Sequence, residues 1–399
     1  MFDFNGYFLD EEKKILYFNP KKEDLTVLNP SDFEKMEYKG ETFYLNLKSK
    51  SICPFHLECR GCAYINQSYV PQFEIKKEQF DYIFKSTEIE KDYFEDNSYN
   101  YKNKVRVHVS LLNNNIILNL NGKNPELFFP CKIINEKIND FIQSFNDFKF
   151  DSNYNDLFSF NEVFISYYDS KIVIKLKKNY NLYDKLLIKK LELLKYEDLI
   201  IDDSDFQMSY KIKTDKEYSL FYFSDTFSQS NSKINQKMIE YIYNNLKNIL
   251  IDSNVSGEKY DLYDFFGGNG NLSIGLNTLF NNVYLLESNK KEKQNVEKSN
   301  IENKININYL NCNLERTIPM LSENKKIAII DPPRVGIFER QLKTILNNFD
   351  YVIYVSCNPI VMKKQLKIIK KYHTIENIAM FDNFAYTKYF ESIIISKKK

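Results

Sequence analysis

The pattern of apolar and polar positions changes near residue 225. Beyond it, five short and mostly apolar runs predict strands, and helical patterns lie between most of them. The runs span residues 259–264, 282–287, 326–331, 351–356 and 389–395. Apolar strands that alternate with helices are typical of a mostly parallel sheet covered on both faces. We therefore predict a doubly wound α/β domain that binds ligands at the carboxyl ends of its strands.

Helical periodicity is clearest at two places in this part of the chain. Between residues 232 and 251, apolar side chains recur on one helical face: Ile234, Met238, Ile242, Leu246 and Ile249. A second helix is predicted where four side chains follow the i, i+3, i+4, i+7 spacing: Met362, Gln365, Leu366 and Ile369. Both helices are predicted to cover the sheet.

The first 224 residues have a different pattern. Strand-like alternation at 102–112 ("KNKVRVHVSLL") and 171–178 ("KIVIKLKK") is mixed with a helical stretch at 184–196. Residues 1–50 hold short apolar groups between charged turns, which is typical of a small strand-rich module. We predict three domains, at 1–50, 51–224 and 225–399, of which the second is mixed α+β.

Composition sets limits on the class of protein. With 399 residues, of which 43% are hydrophobic, the chain can fill two or three cores. No apolar run is long enough to span a membrane, and the first residues lack the basic-then-apolar order of a signal peptide. We expect a cytoplasmic monomer with no membrane partner. The net charge of +1 does not by itself indicate a nucleic-acid partner.

Four of the six cysteines form a candidate metal site. Cys53, Cys59 and Cys62 are clustered, and Cys131 follows at a distance. In a reducing compartment such a cluster favours a metal over disulfides. Structural zinc sites more often show two close pairs, so three clustered thiols and one remote thiol favour an iron–sulfur cluster. On spacing alone, zinc stays an alternative.

A glycine-rich turn follows the first predicted strand of the α/β domain. It contains Gly267, Gly268 and Gly270 directly after Asp264, and the next strand ends in Glu287 about 20 residues later. Glycines let the backbone approach a ligand, and an acid at that spacing can accept both hydroxyls of a ribose. The pyrophosphate-binding form of the motif is missing. The pattern therefore favours S-adenosylmethionine over a dinucleotide.

Two later strand ends carry reactive groups. One ends in Asp331-Pro332-Pro333-Arg334, and the other presents Cys357. A thiolate can add to carbon 6 of a pyrimidine and make carbon 5 nucleophilic, after which a base must remove the proton on carbon 5. Glu391 is a candidate for that base. The alternatives are a buried packing cysteine and an acid on an edge strand that points to solvent.

These residues match a known family. The chain resembles the bacterial RNA uridine 5-methyltransferases, particularly the iron–sulfur type that acts on 23S ribosomal RNA. The matching segments are "FSQSN" at 227–231, "DFFGGNG" at 264–270, "DPPRVG" at 331–336, "SCNP" at 356–359 and "DNFAYTKYFES" at 382–392. The chain departs from the family pattern at Gly267, Asn313, Ala385 and Tyr389, where the family usually has Cys, Asp, Pro and His.

The resemblance implies a Rossmann-like class I methyltransferase fold that uses S-adenosylmethionine. It implies that Cys357 is the nucleophile and Glu391 the general base. The donor site would include Gln229, Phe266, Glu287 and Asp331. By the same resemblance, a [4Fe-4S] cluster is held by Cys53, Cys59, Cys62 and Cys131. Many relatives begin with an RNA-binding TRAM domain, but residues 1–50 are rich in acids and lack its glycine-rich pattern, so we predict a divergent or absent TRAM domain there.

The RNA substrate stays open at this stage. The resemblance favours a 23S ribosomal RNA uridine, with a uridine of the transfer RNA T-loop as the alternative. A cytosine 5-methyltransferase is disfavoured, because such enzymes usually have a Cys directly after a Pro where this chain has Asp331-Pro332-Pro333. A non-catalytic iron–sulfur RNA-binding protein is a further alternative. For RNA contacts, we predict stacking by Tyr101 and phosphate binding by Lys102, Lys104 and Arg106.

Overall fold

The fold is given by a computed structural model. It describes residue 62 and residues 69–96, 99–120, 130–149, 161–175, 182–202, 206–254, 260–314, 323–387 and 389–399, together with the backbone of five strands within residues 2–46. The helices are α1 (Tyr69–Ile83), α2 (Glu136–Asp147), α3 (Leu182–Leu194), α4 (Ser232–Asn254), α5 (Lys291–Asn303), α6 (Glu339–Asn348) and α7 (Pro359–Tyr372). The strands are β1 (Phe2–Asp3), β2 (Tyr7–Asp10), β3 (Ile15–Phe18), β4 (Phe33–Tyr38), β5 (Glu41–Asn46), β6 (Lys91–Phe94), β7 (Lys104–Leu112), β8 (Asn115–Asn119), β9 (Asn161–Tyr168), β10 (Lys171–Lys175), β11 (Leu199–Asp202), β12 (Gln207–Lys213), β13 (Glu217–Phe223), β14 (Tyr260–Phe265), β15 (Val283–Glu287), β16 (Ile307–Asn311), β17 (Lys325–Ile330), β18 (Tyr351–Ser356), β19 (His373–Phe381) and β20 (Glu391–Lys398).

An eight-stranded sheet forms the C-terminal part of the chain. Its strand order is β16-β15-β14-β17-β18-β20-β19-β6. The five strands from β16 to β18 run parallel, and β20 is antiparallel to both of its neighbours. The predicted α/β class, with a mostly parallel sheet, is therefore confirmed, and parallel strands bring their carboxyl ends to one edge.

Three strands of this sheet were not predicted from the sequence. Strand β16 is only partly buried and contains two asparagines, and the first half of β19 alternates with exposed positions. Strand β6 has four residues and pairs with β19 at the sheet edge, although it lies within the region assigned to the central domain. Strands β16 and β6 lie at the two edges of the sheet, and the exposed or partly exposed positions of all three strands weaken the apolar signal on which the prediction rests.

The predicted strands at the centre of the sheet owe their continuous apolar sequences to burial on both faces. Successive side chains point to opposite sides. Ile329 and Ile353 thus belong to one apolar cluster, while Ile330 and Tyr354 belong to the other. On α7, the four side chains with helical spacing are all buried. This packing fixes the strand ends on which the candidate site is built.

Three further sheets are formed by described strands earlier in the chain. The order β11-β10-β9-β7-β8 forms one of them, which includes the strands predicted at 102–112 and 171–178. Strands β1 to β5 form another, in the order β1-β2-β3-β5-β4, and β12 and β13 form an antiparallel two-stranded sheet. Across the described ranges, every helix is too short or too polar to cross a membrane.

Candidate active site

The glycine turn after β14 has steric reasons for its composition. A side chain at Gly267 would place its Cβ 2.8 Å from the carboxylate of Asp264, and one at Gly270 would lie 2.7 Å from Ile274. Gly270 also has a φ of +87°. Phe266 has a φ of +62°, which is uncommon for a residue other than glycine and is often found at functional sites. The turn thus depends on glycine and keeps its backbone close to the sheet edge.

Two carboxylates flank this turn on neighbouring parallel strands. Glu287 at the end of β15 accepts hydrogen bonds from the backbone amides of Gly268, at 3.2 Å, and Asn289, at 2.7 Å. Asp264 is buried, and neither of its carboxylate oxygens makes a well-formed hydrogen bond. Burial raises the pKa of Asp264 to about 7, and the charges of Asp331 and Glu287 add to the effect. Buried polar atoms without partners are the kind of group that a bound ligand satisfies.

Cys357 and Glu391 come together through the pairing of β18 with β20. The antiparallel register pairs Ser356 with Ser392, so the next position brings Cys357 opposite Glu391. Cys357 is half-buried, whereas Glu391 is only 5% exposed and its Oε2 atom has no hydrogen-bond partner. The two residues are 34 positions apart in the sequence, and tertiary structure makes them neighbours.

The electrostatics of this pair are dominated by burial. Burial, together with the charges of Glu391 and Asp331, raises the pKa of Cys357 to about 12, whereas Arg334 acts in the opposite direction. Burial and the charge of Asp331 also raise the pKa of Glu391, again opposed by Arg334. Burial raises the pKa of Asp331 to about 7. The three acidic groups therefore compete for ionisation in one poorly hydrated site.

The Asn358-Pro359 pair has a structural role beside the thiol. The Asn358 side chain caps α7 by accepting hydrogen bonds from the amides of Ile360 and Val361. Its Nδ2 atom donates to the carbonyl oxygen of Arg334 at 3.0 Å. Proline at the first helical position suits a helix start, where its missing N–H costs nothing. The cap therefore connects the turn that carries Cys357 with the turn that carries Arg334.

Gln229 reaches the site through a residue that the sequence analysis did not select. Its Oε1 atom accepts a hydrogen bond from the Nδ2 atom of Asn383, at 2.9 Å. Asn383 belongs to the turn at residues 382–387, which leads into β20 and Glu391. The Oδ1 atom of Asn383 is buried without a partner. The signal for Asn383 was its position inside the segment that matches the family motif.

Side chains from outside the α/β domain hold the 382–387 turn. Lys76 on α1 is fully buried and donates to Asp382 at 2.5 Å and to the carbonyl oxygen of Phe384 at 3.1 Å. Gln72 accepts a hydrogen bond from the amide of Tyr386 at 2.6 Å. Tyr101 donates its hydroxyl to the carbonyl oxygen of Ala385 at 3.1 Å. The turn beside Glu391 is thus fixed by the central part of the chain.

These contacts correct part of the predicted RNA surface. Tyr101 is 9% exposed and engaged with Ala385, so the prediction that it stacks on a base is wrong. Lys104 is half-buried and donates to the carbonyl oxygen of Thr226 at 2.6 Å, which is a structural contact. Arg106 is exposed and pairs with Glu162 at 3.3 Å. Phosphate binding by Lys102 and Arg106 stays a prediction.

The comparisons with known proteins now identify the family. Residues 178–399 match the sequence model described as tRNA (Uracil-5-)-methyltransferase. The chain belongs to this family. It is an S-adenosylmethionine-dependent RNA (uracil-5-)-methyltransferase.

Individual relatives agree with this assignment. A tRNA/tmRNA (uracil-C(5))-methyltransferase of Nautilia profundicola is 30% identical over 67% of this chain and 76% of its own length. The enzyme of that name from Aliarcobacter butzleri is 26% identical over 87% of this chain and 99% of its own. Among solved structures, the Pyrococcus abyssi tRNA (uracil-54, C5)-methyltransferase in complex with S-adenosyl-L-homocysteine matches with a TM-score of 0.69. It covers 99% of this chain and 98% of its own at 16% identity, so it confirms the fold.

Of the four cysteines predicted to hold the cluster of the methyltransferase, two lie within the described residues. Cys62 and Cys131 are both half-buried. Burial raises the pKa of Tyr101, and the charges of both thiols contribute, so the two sulfur atoms lie near the same hydroxyl. Cys53 and Cys59 lie outside the described residues. Among the described residues, no group of three or more His, Cys, Asp or Glu side chains could hold a metal ion. The set of four cysteine ligands stays a prediction.

Proposed function

We propose that this methyltransferase modifies carbon 5 of a uridine in transfer RNA. The observation that carries the chemistry is that Cys357 and Glu391 each adjoin the last pair of the β18–β20 ladder, Ser356 with Ser392, and that the charge of Glu391 acts on the thiol. The choice of RNA is supported by the names of the relatives from Nautilia profundicola and Aliarcobacter butzleri, which act on tRNA and tmRNA. The 23S ribosomal RNA uridine is a second candidate, favoured by the four-cysteine pattern of the sequence.

The donor site is proposed to consist of Gln229, Phe266, Glu287 and Asp331. Glu287 would accept hydrogen bonds from the ribose hydroxyls of S-adenosylmethionine, since its carboxylate stands at the end of β15 next to the glycine turn. Asn383 orients the Gln229 side chain through its hydrogen bond. We place this side chain between the bound S-adenosylmethionine and the target uracil. When bound, S-adenosylmethionine supplies an electrophilic methyl group.

The residues of the chain would then act in two steps. Cys357 first loses its thiol proton to solvent, and its Sγ then adds as a thiolate to carbon 6 of the uracil. The electron pair of the carbon 5–carbon 6 double bond moves into an enolate, which makes carbon 5 nucleophilic. After methyl transfer, Glu391 removes the remaining proton from carbon 5, and the bond from carbon 6 to Cys357 breaks. Burial raises the pKa of Glu391, so its ionised form is a stronger base than an exposed glutamate.

The substrate proposal is tested with unmodified transcripts of transfer RNA and 23S ribosomal RNA. We expect label from methyl-labelled S-adenosylmethionine to enter the transfer RNA and to map to one uridine. Replacing that uridine by cytidine in the transcript is the matched control and should remove the label. Labelling of 23S ribosomal RNA alone would overturn the choice of substrate and leave the chemistry intact.

The metal site is proposed to be a [4Fe-4S] cluster on Cys53, Cys59, Cys62 and Cys131. Protein purified without oxygen is expected to hold about four iron and four sulfide per chain. Cys62→Ala and Cys131→Ala should each lower the iron content. Cys312→Ala should not, because the backbone of Cys312 lies beside Glu287, in the other half of the chain. Zinc in place of iron would contradict the proposal.

A further inference from the structure

An exposed arginine, Arg334, lies near the candidate nucleophile Cys357. Arg334 acts on both Cys357 and Glu391 as the cation that lowers their pKa values, against the effect of burial. No ion pair holds its guanidinium within the described residues. A long, exposed side chain without such a partner samples many rotamers. A further contact must therefore keep the cation near the thiol.

Tyr389 supplies that contact. The guanidinium carbon of Arg334 lies 4.9 Å from the centre of the Tyr389 ring, over its face. The ring itself is held edge-on by Phe384, with ring centres 6.4 Å apart, and the Tyr389 amide donates to the hydroxyl of Thr387 at 3.2 Å. Aromatic faces attract guanidinium groups because of the ring quadrupole. The backbone of Arg334 is fixed separately by Asn358.

We propose that Tyr389 is a positioning residue, which holds the Arg334 guanidinium over the site where Cys357 adds to the uracil. This inference rests on the proposed function. Adding a thiolate to carbon 6 builds negative charge on the uracil ring, and a fixed cation stabilises such charge better than a mobile one.

The inference is tested by the rate at which RNA containing 5-fluorouridine forms a covalent adduct, measured across pH. Tyr389→Leu removes the ring face and is expected to slow adduct formation roughly tenfold and to move its pH midpoint upward. Tyr389→Phe keeps the face and should stay within about twofold of the wild type. The pH profile also reflects the other groups that face Cys357: Glu391, Asp331, Arg334 and Tyr354.

A double-variant cycle separates positioning from structure. In an Arg334→Ala protein, Tyr389→Leu should have little further effect, because the cation that it positions is gone. A full tenfold effect in that background, or an unchanged rate in Tyr389→Leu alone, would overturn the inference. A Tyr389→Leu protein that loses only RNA affinity would also overturn the inference, because the Tyr389 ring would then be a base-stacking group. If the wild type itself forms no adduct, the proposed function fails instead.

Discussion

Cys357→Ala is expected to abolish methylation, with a loss of at least about 10³-fold in turnover. Without the thiol, carbon 5 of the uracil is not activated, and the remaining groups can only bind the two substrates. The variant should still bind S-adenosylmethionine, because the proposed donor residues Phe266 and Glu287 lie at the ends of strands β14 and β15 and do not depend on Cys357. Labelled methyl transfer and donor binding are measured side by side on the same protein.

Glu391→Gln is the matched control for this loss. It keeps the nucleophile and removes the base, so it should form an adduct with ordinary uridine RNA that survives denaturation. Cys357→Ala should form none, even with 5-fluorouridine RNA. A denaturation-resistant adduct of the Cys357→Ala protein would show that another residue is the nucleophile.

Lys76→Met should have the largest effect on stability. The ammonium and the Asp382 carboxylate are both fully buried and lie 2.5 Å apart, and the variant removes the buried cation that balances the carboxylate charge. Breaking such a pair costs about 3–5 kcal/mol, which we expect as the loss in free energy of unfolding in chemical denaturation. Methylation should fall as well, because the 382–387 turn carries Asn383 and leads to Glu391.

The neighbouring Lys77 offers a control with the same side chain. It pairs with Glu74 at 3.0 Å on a partly exposed surface, and Lys77→Met should cost at most about 1 kcal/mol. Lys76→Met combined with Asp382→Asn should recover part of the loss, since the buried charge is removed. Equal stability of the Lys76 and Lys77 variants would contradict the role of the buried pair.

The central strands and the catalytic motifs were predictable because their signals are local. Strands β14 and β18 are buried along their whole length, and both are mostly apolar, although β14 also contains Asp261 and Asp264. The reactive groups follow those strands directly, as Cys357 follows Ser356. Parallel strands end at one edge of a sheet, so listing the strand ends already brings Asp264, Glu287 and Asp331 together.

The support of the site was not predictable in the same way. Lys76 and Gln72 lie more than 300 positions from the turn that they hold, and neither has an unusual local sequence. Tyr101 was assigned to RNA because an exposed and a buried tyrosine look alike in a strand pattern. Contacts of this kind depend on how α1 and β7 pack against the sheet, and no periodicity encodes that packing.

The sequence by itself determined the α/β class and the family, and it supplied the candidate residues for the chemistry, because each follows from local periodicity or from short motifs. Only the tertiary structure decided which side chains hold those residues in place. The register of β18 and β20 set Glu391 opposite Cys357, and burial raised the pKa values of both. Strand pairing and burial are properties of the packed molecule, since they depend on segments that are distant in the chain.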